Sequence, residues 1–310
     1  MKDETRSIGE NDYRRIKVMQ DTIECCRVGG YSISRDKIVA LPLQDEVVGN
    51  TVFWHNSKNA SSFPRLQNHL KTRVDVVNAD TVDAARKLLN GGLHPAILNM
   101  ASCWQPGGGA LDGKATQEES LFRRSNLCLS LYPFDRDYAR YAQFKFVEQK
   151  YPDRDECLAY KRKTGYAVDT SRDCRAFLSK GIVFFKGGES NGCPYLTNPF
   201  RLDVISVAAI KNPTLVNHDG EMRLWYEDER FALRKIRTVF RMGLHNGNDA
   251  LVLGAWGCGA YHNPPKHIAE LFKRVMNEPE FKDKYKNVTF AILSRDRFSR
   301  NLDVFKRVLL

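Results

Sequence analysis

Seven residues beyond a glycine triplet, Gly107-Gly108-Gly109, the chain places Gln117-Glu118-Glu119. Adjacent carboxylates suit general acid–base work. At a helix start they project about 100° apart, so one can address a scissile bond while the other holds hydroxyls. Glycine backbone can approach a ligand closely and turn its N–H groups toward an anion such as a diphosphate. Each feature alone has a plainer reading. A bare triplet is often a turn, and two glutamates in a first helical turn often only compensate the helix dipole. A second glycine pattern, Gly254-Ala255-Trp256-Gly257-Cys258-Gly259-Ala260-Tyr261, follows an apolar run and precedes a helix start. That placement suits a second anion cradle. Cys258 has no fixed basic partner in the sequence and is not read as a nucleophile. His55, His94, His245, His262 and His267 lack ligand spacing, and the eight cysteines form no C-x-x-C pair. No metal and no cofactor is therefore expected.

The elements that must position these groups follow from apolar periodicity. Residues 11–28 read as a helix, with Tyr13, Ile16, Met19, Ile23 and Cys26 at helical spacing and Gly29-Gly30 as its stop. Strands are expected at 74–77, 96–100, 182–185, 204–209, 250–253 and 290–293. Asp80 and Thr81 can cap a helix closed by Asn90-Gly91-Gly92. Further helices are expected from Gln117 onward through Leu121, Leu127 and Leu131, over 229–242, and over 301–310. Asn263 is read as the cap of a helix whose first positions are Pro264 and Pro265. Strands that alternate with helices and run apolar on both faces imply an α/β layer architecture. Ligands in such folds sit at the carboxyl ends of strands, where both glycine-rich loops fall.

Composition narrows the setting. Apolar residues make up 42 % and charged residues 27 % of the 310 residues, as in an ordinary globular chain. No apolar run approaches a membrane span, and the N-terminus lacks a secretory stretch. A cytoplasmic or nuclear setting with reduced thiols, and no membrane partner, is expected. The net charge of +11 attracts polyanions without selecting one. Residues 132–180 interleave Tyr132, Phe134, Tyr138, Tyr141, Phe144, Phe146, Tyr151, Tyr160 and Tyr166 with many Arg and Lys, and read as an insertion or lid.

Taken together, the glycine triplet followed at short distance by Gln-Glu-Glu resembles the signature of the poly(ADP-ribose) glycohydrolases. The context Leu98-Asn99-Met100-Ala101-Ser102 before it and Ser120-Leu121-Phe122-Arg123-Arg124-Ser125 after it is similar to the microbial-type branch. The stretch Trp256-Gly257-Cys258-Gly259-Ala260 followed by an aromatic resembles the second phosphate loop of the same family. The resemblance implies a macrodomain-like three-layer α/β/α fold with a mixed central sheet, an N-terminal helical extension over 1–70 and a catalytic domain over 71–310 with the insertion at about 132–180. It implies hydrolysis of ribose–ribose O-glycosidic bonds to release ADP-ribose. Glu119 would be the general acid/base, Glu118 would orient the ribose, and Gln117 would fix the loop. Gly107, Gly108 and Gly109 would wrap the diphosphate and distal ribose. Asn99, Ser102, Trp256, Gly257, Cys258, Gly259, Ala260 and Tyr261 would line the substrate. Asn99 stands where animal-type relatives carry Asp, which limits it to hydrogen bonding. Tyr261 stands where members usually carry Phe, which keeps the ring and adds a hydroxyl. Members often read Asp directly after the last strand; here Ser294-Arg295-Asp296 intervenes, leaving Phe298 and Phe305 as candidates to stack on adenine.

Partners implied are poly(ADP-ribose) or ADP-ribosylated macromolecules, with weak non-specific nucleic-acid binding from the charge. The alternatives are a non-catalytic module that binds ADP-ribose or its polymer, and a hydrolase acting on mono-ADP-ribosylated protein or nucleic acid. If the hydrolase reading holds, the two carboxyls should share their titration, and substrate phosphates should raise the apparent pKa of Glu119.

Overall fold

The computed structural model describes residues 9–54, 71–135, 141, 144, 174–294 and 300–310. It opens with helix α1, Glu10–Val28, which buries Met19, Thr22, Ile23, Cys25 and Cys26 on one side. Tyr13, read on that side, is exposed. Strands β1 (Gly30–Ser34) and β2 (Lys37–Ala40) form a small antiparallel hairpin. The short helix α2 (Gln44–Gly49) leads to β3 (Thr51–Trp54). Then come β4 (Arg73–Val77), α3 (Thr81–Asn90) and β5 (Pro95–Met100). Asp80 caps α3 as its residue type predicts, accepting the N–H groups of Val82 and Asp83. Helices α4 (Gln117–Arg124) and α5 (Leu127–Leu131) follow, then the long strands β6 (Ala176–Lys186) and β7 (Tyr195–Val207). A hairpin of β8 (Leu215–His218) and β9 (Glu221–Leu224) precedes α6 (Tyr226–His245). The chain closes with β10 (Ala250–Leu253), α7 (Pro265–Met276), β11 (Asn287–Ala291) and α8 (Asn301–Leu309).

Seven strands make one mixed sheet in the order β3-β6-β7-β5-β10-β11-β4. The pairs from β7 through β5, β10 and β11 to β4 are parallel, while β6 runs antiparallel to both β7 and β3. Parallel strands buried on both faces need helices on both faces. Side-chain alternation divides the core accordingly. Ile97, Val204 and Val252 pack with Met19, Val82, Phe122 and Leu127 from α1, α3, α4 and α5. Ala96, Leu98, Ile205, Leu251 and Leu253 pack with Phe240, Ile268, Phe272 and Phe305 from α6, α7 and α8. The result is the three-layer α/β/α fold that the resemblance implies.

Several expectations change in detail. Asn263 does not cap α7. Pro264 occupies that position, and the Asn263 amide instead donates to the carbonyls of Ile210, Gly257 and Tyr261. Residues 1–70, expected to form an extension on the core, supply β3 to the central sheet, where it pairs with β6. The stretch 132–180 is not wholly a lid. Tyr132, Phe134 and Tyr141 are buried in the core, and 176–180 belong to β6. Most of the rest of that stretch, and the polar run 56–68, lie outside the described residues.

Candidate active site

Because β7, β5 and β10 are neighbours and parallel, their carboxyl ends leave the sheet side by side. Three connections therefore meet at one edge: 208–214 after β7, 101–116 after β5, and 254–264 after β10. Open α/β sheets bind ligands at such an edge.

The first loop folds back onto the start of α4 through its carboxylates. Glu118, 3 % exposed, accepts the N–H of Ser102 at 2.6 Å and of Gly107 at 3.0 Å, with the Asn99 amide at 3.4 Å. Burial and the neighbouring Glu119 raise the Glu118 pKa to about 8, against the opposing pull of those donors. Glu119 accepts the Gly109 N–H at 3.0 Å, and its other oxygen takes the Thr116 hydroxyl. A Cβ on Gly108 would lie 2.6 Å from Glu119 Oε1 and 3.2 Å from Glu118 Oε2, at a backbone φ of +52°. Only glycine lets the loop pass this close to both carboxyls. Gln117 fastens the same helix start to the strand end. Its Oε1 accepts the Met100 N–H at 3.0 Å, and its Nε2 donates to the Leu98 carbonyl at 2.7 Å.

In this geometry the backbone donors of the triplet are engaged within the protein. The N–H groups of Gly107, Gly108 and Gly109 already face Glu118, the Gln105 carbonyl and Glu119 respectively. Those of Gly107 and Gly109 hold the two carboxylates. Asn99 is fully buried, and its amide donates to Glu118 and to Ser206 Oγ at 3.1 Å. It thus positions an acid from beneath rather than lining the cleft.

The second loop has the opposite character. Among the described residues, the N–H groups of Gly257, Gly259, Ala260 and Tyr261 have no hydrogen-bond partner. Gly259 and Ala260 are exposed. Such a row of backbone donors ahead of a helix fits phosphate oxygens. Trp256 does not share in this. Its indole is buried against Phe272 and donates to the Val207 carbonyl at 3.0 Å. Burial pushes the Cys258 thiol pKa well up, which disfavours the thiolate a nucleophile needs.

Tyr261 joins the two loops. Its hydroxyl oxygen accepts the Cys103 N–H at 2.8 Å, and its O–H donates to Cys103 Sγ at 3.3 Å. Its carbonyl accepts the Asn212 N–H at 3.1 Å, tying in the connection after β7. The Tyr261 hydroxyl is thus the clasp between the loops. Burial and Cys103 raise its pKa, so it stays protonated.

Sequence reasoning missed Thr116, Ser206, Cys103 and Asn212. A signal existed for Thr116, since Thr-x-x-Glu before a helix marks an N-terminus. The others are set by strand pairing, as where β5 and β7 place Asn99 beside Ser206. Of the adenine candidates, Phe305 is core, packed on Phe290, and Phe298 lies outside the described residues. Among the described residues no group of His, Cys, Asp and Glu could hold a metal, and no helix is long and apolar enough to cross a membrane.

Residues 19–154 match a family model described as microbial-type PARG, catalytic domain. No curated protein matches the chain. Among solved structures, the chain is similar to the poly(ADP-ribose) glycohydrolase of Thermomonospora curvata, at 25 % identity and TM-score 0.76, over 96 % of this chain and 100 % of that one. The same protein bound to the inhibitor ADP-HPD gives a TM-score of 0.71 at 25 % identity, over 95 % and 99 %. The poly(ADP-ribose) glycohydrolase of Deinococcus radiodurans in complex with ADP-ribose shares the fold at 24 % identity and TM-score 0.67, over 87 % and 98 %.

Proposed function

We infer that this chain, which carries the catalytic domain of the microbial-type poly(ADP-ribose) glycohydrolases and folds as the Thermomonospora protein does, is a glycosidase that releases ADP-ribose from poly(ADP-ribose). The observation that carries the reading is the meeting of two carboxyls on Gly108, beside an open row of backbone donors on the adjacent loop. The donors of Gly257, Gly259, Ala260 and Tyr261 take the diphosphate. Glu119 addresses the linkage between riboses. Glu118, held by Ser102, Gly107 and Asn99, keeps loop and helix in register and retains a proton near neutral pH.

In this scheme Glu119 gives a proton to the departing ribose oxygen as the glycosidic C–O bond breaks, leaving an oxocarbenium-like centre. Water then attacks that centre and returns its proton to Glu119, so atoms and charge balance. One residue acts in both directions, unlike the usual arrangement of carboxyls on opposite sides of the sugar.

Incubation with labelled poly(ADP-ribose), with identification of products, tests the proposal. Free ADP-ribose is expected from the wild-type chain. Glu119→Ala should abolish release while keeping ADP-ribose affinity within about tenfold, or roughly 1.4 kcal/mol. A wild-type chain that binds ADP-ribose but releases none from the polymer is a binding module instead.

A further inference from the structure

Trp104 lies in the loop that carries the carboxylate contacts, yet its side chain is 65 % exposed. Its neighbours are tightly held. The Cys103 N–H sits on the Tyr261 hydroxyl, and the Ser102 N–H on Glu118. The indole therefore emerges one residue from the clasp and two from Ser102, whose N–H binds Glu118. Lys211, on the connection after β7, places its ammonium 5.4 Å from the ring centroid. Its own neighbours bind the second loop: the Ile210 carbonyl accepts the Asn263 amide at 2.8 Å, and the Asn212 N–H reaches Tyr261. Trp104 and Lys211 thus meet where all three connections converge, on fixed backbone, with one indole face turned to the lysine and much of the ring in water.

An open indole face suits a nucleobase, whose stacking is tolerant of identity, and a compact ammonium suits a phosphate. A nucleotide already in the cleft would use the Gly257–Tyr261 donors for its diphosphate, so a second base-and-phosphate platform at the rim serves a second unit. We propose that Trp104 and Lys211 form a subsite for the adenine and a phosphate of the ADP-ribose unit adjoining the one held between the loops. The inference rests on the glycohydrolase reading for its substrate, and it makes the chain a reader of polymer rather than of monomer alone.

The test uses the full chain carrying Glu119→Ala, so that binding is read without hydrolysis. Affinities for ADP-ribose and for a short oligo(ADP-ribose) are compared with and without Trp104→Ala, Trp104→Phe and Lys211→Ala. Trp104→Ala should weaken oligomer binding about tenfold while ADP-ribose binding stays within about twofold, since stacking on an aromatic carries about that much. Trp104→Phe should recover most of the loss, and Lys211→Ala should weaken the oligomer selectively. Equal losses for both ligands would place the ring in the monomer site, and no loss for either would leave it without a ligand role; each outcome overturns the proposal. Turnover by the wild-type chain decides the glycohydrolase reading separately, so the two can fail independently.

Discussion

At the scale of single residues, Glu118 sets the pH behaviour. Its carboxyl has a pKa raised from 4.5 to about 8 by burial and by Glu119. The unfolded chain releases that proton near 4.5 and the folded chain near 8. Its share of stability is therefore full below about pH 4.5 and is lost as pH rises through about 8. Thermal melting across that range should show a falling slope in the wild-type chain and a flatter one in Glu118→Gln. Ionising Glu118 puts a buried charge beside Glu119 and strains the register it keeps, so the pH–rate profile should fall through about pH 8, and a rate that holds to pH 9.5 would refute the link. Tyr261→Phe tests the clasp. It removes the hydroxyl that accepts the Cys103 N–H, which should cost about 1 kcal/mol of stability. KM for the polymer should rise more than kcat falls, because the lost hydroxyl joins the binding loops without touching the reacting bond.

At the scale of elements, the close approach of the first loop to α4 is set by its glycines. Gly108→Ala would drive a Cβ against Glu119 at a left-handed φ, and should abolish turnover while far-UV circular dichroism stays native. Legibility divides along the same scale. The helix start at Gln117 and both glycine loops could be read because their signals are local: a cap, a breaker, a carboxylate pair. Strand β3 could not, since its four residues are fixed only by pairing with β6, far along the chain. Strands β6 and β7 extend past their apolar centres through polar positions such as Lys180 and Arg201, so periodicity alone shortened them. The β8–β9 hairpin carries a local signal, Asp219-Gly220, a favoured two-residue turn. The contacts of the glycine N–H groups could not be read, because spacing shows which donors exist, not which acceptor each one meets.

At the scale of the whole molecule, the charge of +11 and the polyanionic substrate predict strong ionic-strength dependence. Polymer affinity should fall steeply between 50 and 200 mM salt, with a log–log slope of about −0.7 for each phosphate neutralised if the polymer behaves as a single strand. Binding that is insensitive to salt would limit the basic surface to solubility. Helix α1 is tied into this assembly at several points. Lys186 Nζ donates to the Val18 carbonyl, Asp21 and Thr22, and Thr22 donates to the Arg123 carbonyl in α4. Near its start, Arg15 reaches the Gly113 carbonyl, and a side chain at Gly113 would collide with the Asp12 backbone. The helix thus braces, from behind, the segment that runs from the glycine triplet to the two acids. Trimming the protein to residues 71–310 would remove that brace along with an edge strand. Such a fragment should be unable to process polymer even though every residue assigned to the chemistry is still present in it.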